Sequence, residues 1–127
     1  MPGTDPLTGL RLLVVEDEAL VAMALEDMLD DLGCVVVDVA GTLARGVKLA
    51  AELSIDGAIL DINLGGEKVF PVAERLVERG VPFVFSTGYD LRGVPEAFRS
   101  RPALQKPFRA DALAQALASL ELKPANA

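Results

Sequence analysis

The sequence has no histidine and no tryptophan. A Ser-His-Asp triad, most zinc sites and any phosphohistidine carrier need an imidazole, so the first absence excludes three classes of chemistry together. Cys34 is the single cysteine, which rules out an intrachain disulfide and leaves a buried structural thiol as its expected role. Long apolar runs are missing as well: none approaches the roughly 20 residues of a membrane-crossing helix. The opening MPGTDPLTG carries neither the basic nor the apolar stretch of a secretory signal. A soluble, cytoplasmic chain is expected. Basic residues are scarce, 12 against 19 acids for a formal net charge of −7. That balance opposes the counterion release that drives nucleic-acid binding, so direct contact with DNA is not expected.

What remains is a chain of 127 residues, 51% hydrophobic and 24% charged, the size and composition of one α/β domain. RLLVV (11–15), VVVDVA (35–40), GAIL (57–60), PFVFS (82–86) and a short run over 103–105 have strand length and β-branched or apolar character. Between them the apolar spacing turns to threes and fours. Leu20, Val21, Ala24, Leu25, Met28 and Leu32 predict a first helix stopped at Gly33, and a Thr42 cap opens a second helix through Leu53. A third helix carries Val69 to Val77 and stops at Gly80, with Pro71 tolerated only in its first turn. Residues 89–101, broken by Gly93 and Pro95, allow only a short or irregular helix; the last helix places Leu113, Leu117 and Leu120 on one face. Five strand–helix alternations predict a doubly wound (βα)5 domain with a parallel sheet of order 2-1-3-4-5 over residues 10–122. Residues 1–9 and 123–127 are expected to be flexible tails, with no output domain.

In such a sheet the ligand edge lies beyond the carboxyl ends of the strands. Four strands deliver polar groups there: Glu16 and Asp17 after the first, Asp61 after the third, Thr87 after the fourth and Lys106 after the fifth. Gathered carboxylates repel one another and call for a cation, and Mg2+ suits one or two carboxylates plus waters and phosphate oxygens. Asp17 and Asp61 are the expected direct ligands, Glu16 acts through water, and a main-chain carbonyl just past the third strand completes the set. A carboxylate can also attack phosphorus, with Lys106 and Thr87 contacting phosphoryl oxygens. Glu18 is read only as favouring a helix N-terminus, Asp56 as strand-start punctuation and Asp90 as a turn residue.

VVEDE (14–18), AILDINL (58–64), FSTGYD (85–90) and QKPF (105–108), in this order and over nearly the whole chain, resemble the receiver domain of two-component response regulators. The resemblance implies a flavodoxin-like fold. It implies Asp61 as phosphoacceptor, Glu16 and Asp17 as the acidic metal pair, Asn63 as the main-chain carbonyl ligand, Thr87 as switch hydroxyl and Lys106 as phosphate-contacting lysine. It further implies a Lys106–Pro107 bond that is usually cis. Partners would be a histidine kinase or phosphotransfer protein and a downstream protein, with neither nucleic acid nor membrane insertion. The face formed by helix 4, strand 5 and helix 5 would respond, and a homodimer through it is open. The chemistry would be limited to Mg2+-dependent self-phosphorylation and autodephosphorylation, without turnover of a substrate.

Two departures stand out. Where many receivers read Met-Pro, Leu64-Gly65-Gly66 predicts a more flexible loop, and Ala103 stands where many carry an aromatic switch. Tyr89 can take over that role, as in single-domain alphaproteobacterial receivers with a Phe-x-Thr-Gly signature on the fourth strand. Two other readings compete: a pseudo-receiver that binds partners without phosphate, and a Mg2+-dependent phosphatase of the haloacid dehalogenase type. The second generally needs an Asp two residues after the nucleophile, where this chain has Asn63.

Overall fold

The structure is a computed structural model that describes residues 7–88 and 93–120. The five apolar runs form β1 (Arg11–Val15), β2 (Val35–Ala40), β3 (Gly57–Asp61), β6 (Phe83–Thr87) and β7 (Ala103–Gln105). All pair in parallel in the order β2-β1-β3-β6-β7, which is the expected 2-1-3-4-5 when only the strands of this sheet are counted. Buried strands need apolar residues at successive positions because both faces are covered. Leu13, Val15, Ala58, Leu60, Phe83 and Phe85 enter one core, while Leu12, Val14, Ile59 and Val84 enter the other.

Helices α2 (Leu43–Glu52) and α3 (Phe70–Glu78) cover the first face; α1 (Ala19–Asp31) and α4 (Ala110–Ala118) cover the second. Thr42 caps α2 by accepting a hydrogen bond from the Arg45 N–H at 3.2 Å, and Pro71 lies in the first turn of α3. Gly46 is costly in a helix interior, by roughly 0.5–1 kcal/mol against Ala. Its place follows from packing: a Cβ there would stand 3.0 Å from Val72 Cγ2 and 3.3 Å from Val15 Cγ1, so the missing side chain lets α2 settle onto the sheet beside α3. Among the described residues, no helix is long and apolar enough to cross a membrane.

Three expectations need correcting. The buried face of α1 is Ala22, Leu25 and Leu29, so the apolar stripe is wider than the face the core can cover; Leu20 and Ala24 are exposed. The amino-terminal tail gives way earlier than residue 10: Leu7 is buried, and its carbonyl lies 3.5 Å from the Cys34 thiol, which is itself buried. Within the described residues 93–101 the 3-10 turn Glu96–Phe98 is the short helix expected there. The loop after β3 is paired rather than open. Asn63–Leu64 (β4) and Glu67–Lys68 (β5) form an antiparallel hairpin around Gly65 and Gly66, whose φ values of 56° and 91° suit a two-residue turn with positive φ at both central positions. The same two glycines that suggest freedom therefore fix a particular turn.

Candidate functional site

Parallel strands put their carboxyl ends on one edge, and the expected residues meet there. Glu16 N donates to the Ala40 carbonyl at 2.9 Å, and Lys106 N donates to the Thr87 carbonyl at 2.8 Å, so sheet hydrogen bonding fixes where each side chain starts. The Lys106 ammonium then spans two acids, with Nζ 2.8 Å from Glu16 Oε1 and 3.2 Å from Asp61 Oδ2. Glu16 is 2% exposed and Asp61 6%. Burial pushes the Glu16 carboxyl above its usual range and the neighbouring Asp61 adds to this, while the Lys106 and Glu18 hydrogen bonds only partly offset it. For Lys106, burial acts against the charge, but its hydrogen bond to Glu16 and the charges of Asp61 and Glu16 outweigh burial, and its pKa is raised. One cation thus serves two buried carboxylates. The site is rich in negative charge and short of positive charge.

Asp17 Oδ2 accepts from Gly65 N at 2.9 Å, and Asp61 Oδ1 accepts from Asn63 N at 3.2 Å, so the hairpin is tied to two of the acids. Carboxylate oxygens of Glu16, Asp17 and Glu18 lie within 4.8 Å of one another, because the chain turns sharply here and the Glu18 N–H donates to Glu16 Oε2 at 3.1 Å. Glu18 is the N-cap residue of α1, the helix-end position expected of it, and its carboxylate also belongs to this cluster. An all-oxygen set of one buried and two exposed carboxylates fits Mg2+, which keeps several waters and binds through few protein groups.

Thr87 is buried and lines a cavity of about 430 Å³ together with Ile62, Asn63, Gly66, Lys68 and Phe70. Lys68 escaped the sequence reading. It faces Asn63 across the hairpin, with Nζ 2.5 Å from Asn63 Oδ1. Gly65-Gly66, a two-residue Gly-Gly turn between Leu64 and Glu67, is the hairpin signal that could have revealed it. The Lys106–Pro107 bond is cis. Ala103 stands opposite Phe85 and packs against the cluster that contains Phe83, Phe85 and Phe98, so aromatic volume on this face comes from its neighbours. Tyr89 and Asp90 lie outside the described residues. Asp56 is more than punctuation: it is buried, and its Oδ2 accepts from the Arg11 N–H at 2.9 Å where β1 begins.

Ser86, beside Asp61 in the ladder, is 1% exposed, and among the described residues its hydroxyl has no hydrogen-bond partner. An unsatisfied buried polar group is destabilising, so Ser86→Ala is expected to raise stability by about 1 kcal/mol in denaturant titration. A loss of stability would mean that the hydroxyl is satisfied in solution.

The chain matches the family described as "Response regulator receiver domain" over residues 12–118. It is 49% identical to SdrG from Sphingomonas melonis Fr1, whose solution structure superposes with a TM-score of 0.77 over 88% of this chain and 95% of that one. A BeF3-activated conformation of SdrG from Pseudomonas melonis Fr1 is 50% identical, with a TM-score of 0.73 over 85% of this chain and 92% of that one. The phyllosphere-induced regulator PhyR of Methylorubrum extorquens is 39% identical over 108 residues. That alignment takes in 78% of this chain and only 39% of PhyR, so the chain spans well under half of that relative's length.

Proposed function

The chain belongs to the response regulator receiver family, and from that premise we propose that it is a signalling switch in which Asp61 accepts a phosphoryl group. One observation carries the reading: Lys106 Nζ bridges Glu16 and Asp61 in a buried pocket at the strand ends, which is a cation held beside a carboxylate nucleophile. An Asp61 oxygen bonds to phosphorus as the bond to the donor's leaving atom breaks, and that electron pair departs with the donor. From a phosphohistidine on a kinase or phosphotransfer protein, the leaving nitrogen takes a proton from solvent; from acetyl phosphate, acetate leaves without one. The transition state spreads charge over the phosphoryl oxygens, so positioning and charge do most of the work. Lys106 meets one oxygen as a point charge and the Thr87 hydroxyl donates to another. Glu16, Asp17, Asp61 and the Asn63 carbonyl would hold Mg2+, with Glu18 at hand, and the ion would supply the remaining neutralisation.

The acyl phosphate carries roughly −1.5 to −2 charges where the Asp61 carboxylate carried one, so a site already short of cations becomes more negative and gains phosphoryl oxygens that can bias neighbouring loops. Thr87 and Tyr89 serve as the switch pair in this reading, and the response reaches a downstream protein, a further phosphotransfer step or a second copy through the face of the Glu96–Phe98 turn, β7 and α4. A similar chain adopting a BeF3-activated conformation supports a phosphate-responsive site. The test is incubation with acetyl phosphate and Mg2+, and separately with purified histidine kinases. The expected result is a mass gain of one phosphoryl group that maps to Asp61, is cleaved by hydroxylamine and is lost when Mg2+ is chelated. No gain from any donor would end the proposal.

A further inference from the structure

Lys106 already serves two carboxylates, at 2.8 and 3.2 Å. Glu16, Asp17, Glu18 and Asp61 crowd the edge that a phosphodonor must approach, and a doubly negative donor is repelled by such a surface. A second cation, Lys68, stands on the hairpin that follows Asp61. Lys68 lines the same cavity as Thr87 and Asn63, and its exposed ammonium rests on the neutral Asn63 carboxamide at 2.5 Å. Among the described residues it forms no ion pair with a carboxylate, so its charge is uncommitted in the resting state. The backbone beneath it is fixed. Asn63 N is bonded to Asp61 and Gly65 N to Asp17, and the Asn63–Lys68 pair closes the hairpin, while the ammonium sits at the end of a flexible four-carbon stem.

We propose that Lys68 is a second phosphate-binding cation of this site, drawing in a dianionic phosphodonor and contacting a phosphoryl oxygen during transfer, with Asn63 as its resting partner. The inference rests on phosphoryl transfer to Asp61 as set out above. With acetyl phosphate, the Asp61 oxygen-to-phosphorus bond forms, the phosphorus-to-acetate oxygen bond breaks, and acetate carries away the pair. Lys68 keeps its proton throughout and supplies charge alone.

The experiment measures the rate of phosphoryl uptake against acetyl phosphate concentration, with Mg2+ present, at low and high salt, in the wild type and in Lys68→Gln, Lys68→Arg and Lys68→Glu. Lys68→Gln retains an amide donor for Asn63 and loses the charge; its uptake slope is expected to fall about tenfold, as for loss of a charge-assisted hydrogen bond. Lys68→Glu should fall further, Lys68→Arg should stay near wild type, and the salt dependence of uptake should flatten in Lys68→Gln. Beryllofluoride affinity, read from amide shifts, should drop in parallel while unfolding midpoints stay together. Uptake and beryllofluoride binding by Lys68→Gln equal to wild type would overturn the role of Lys68 and leave the Asp61 reading standing. A wild type that takes up nothing would refute the Asp61 reading itself, and this inference with it.

Discussion

Asp61→Asn is expected to reduce phosphoryl uptake to background while the unfolding midpoint stays equal to wild type or rises. The chemical half follows from the nucleophile: a carboxamide oxygen does not form a stable acyl phosphate, and among the described residues no other carboxylate at this edge is both buried and held against the Lys106 ammonium except Glu16, which lies at the end of β1. The stability half follows from the charge balance. Asp61 helps push the Glu16 carboxyl up, and a single lysine is shared between them. Replacing one of two like charges by a neutral group of the same shape relieves that repulsion, by about 1 kcal/mol for a contact partly screened by solvent. Asn also keeps an oxygen for the Asn63 N–H, which Asp61 Oδ1 accepts at 3.2 Å. Loss of uptake together with retained stability separates a reacting group from a structural one. Persistent labelling of Asp61→Asn would transfer the acceptor role elsewhere, and a large drop in midpoint would recast Asp61 as a structural acid.

The sheet was legible because a strand covered on both faces announces itself as a largely apolar run, and each of the five runs lies within a residue of an observed strand. The strand-end residues were legible for the same reason: once the sheet is parallel, Glu16, Asp17, Asp61, Thr87 and Lys106 have to share an edge. Side-chain choice within that edge was not. Three acids in a row can converge in several combinations, and only the turn that bonds Glu18 N to Glu16 selects the set with Glu18. Strands of two residues are too short for periodicity to register, so the Gly65-Gly66 hairpin and its Lys68 stayed hidden. In α1 the apolar stripe exceeds the area the sheet can cover, and composition alone does not say that Leu25 and Leu29 go in while Leu20 stays out. Phe98 is another long-range outcome: its ring stacks on Phe70 with centroids 5.8 Å apart, a contact between a 3-10 turn and α3 that local sequence cannot announce.

Phe85→Ala is expected to cost about 3–5 kcal/mol of folding stability, the range for truncating a buried aromatic. Set against a total of roughly 5–15 kcal/mol for a small domain, that leaves a marginal fold. Phe85 is 1% exposed and meets three rings edge-on: Phe70 at 5.9 Å, Phe83 at 5.3 Å and Phe98 at 6.1 Å between centroids. The cavity has little means of closing. Its strand is hydrogen-bonded on both sides, with Leu60 opposite on β3 and Ala103 opposite on β7, and alanine on the second flank has no side chain long enough to move in. Phe98→Ala should cost less, since a 3-10 turn can settle inward where a central strand cannot. Phe85→Leu, which preserves most of the volume, should lose no more than about 1.5 kcal/mol. The effect also reaches the site, because Phe85 precedes Thr87 by two residues on the same face of the strand, and Phe70 and Thr87 wall one cavity. Urea titrations of the three variants decide the matter: a loss below about 1 kcal/mol for Phe85→Ala would mean that the strand relaxes into the space, and that the aromatic cluster is not what holds the Thr87 end of the sheet in place.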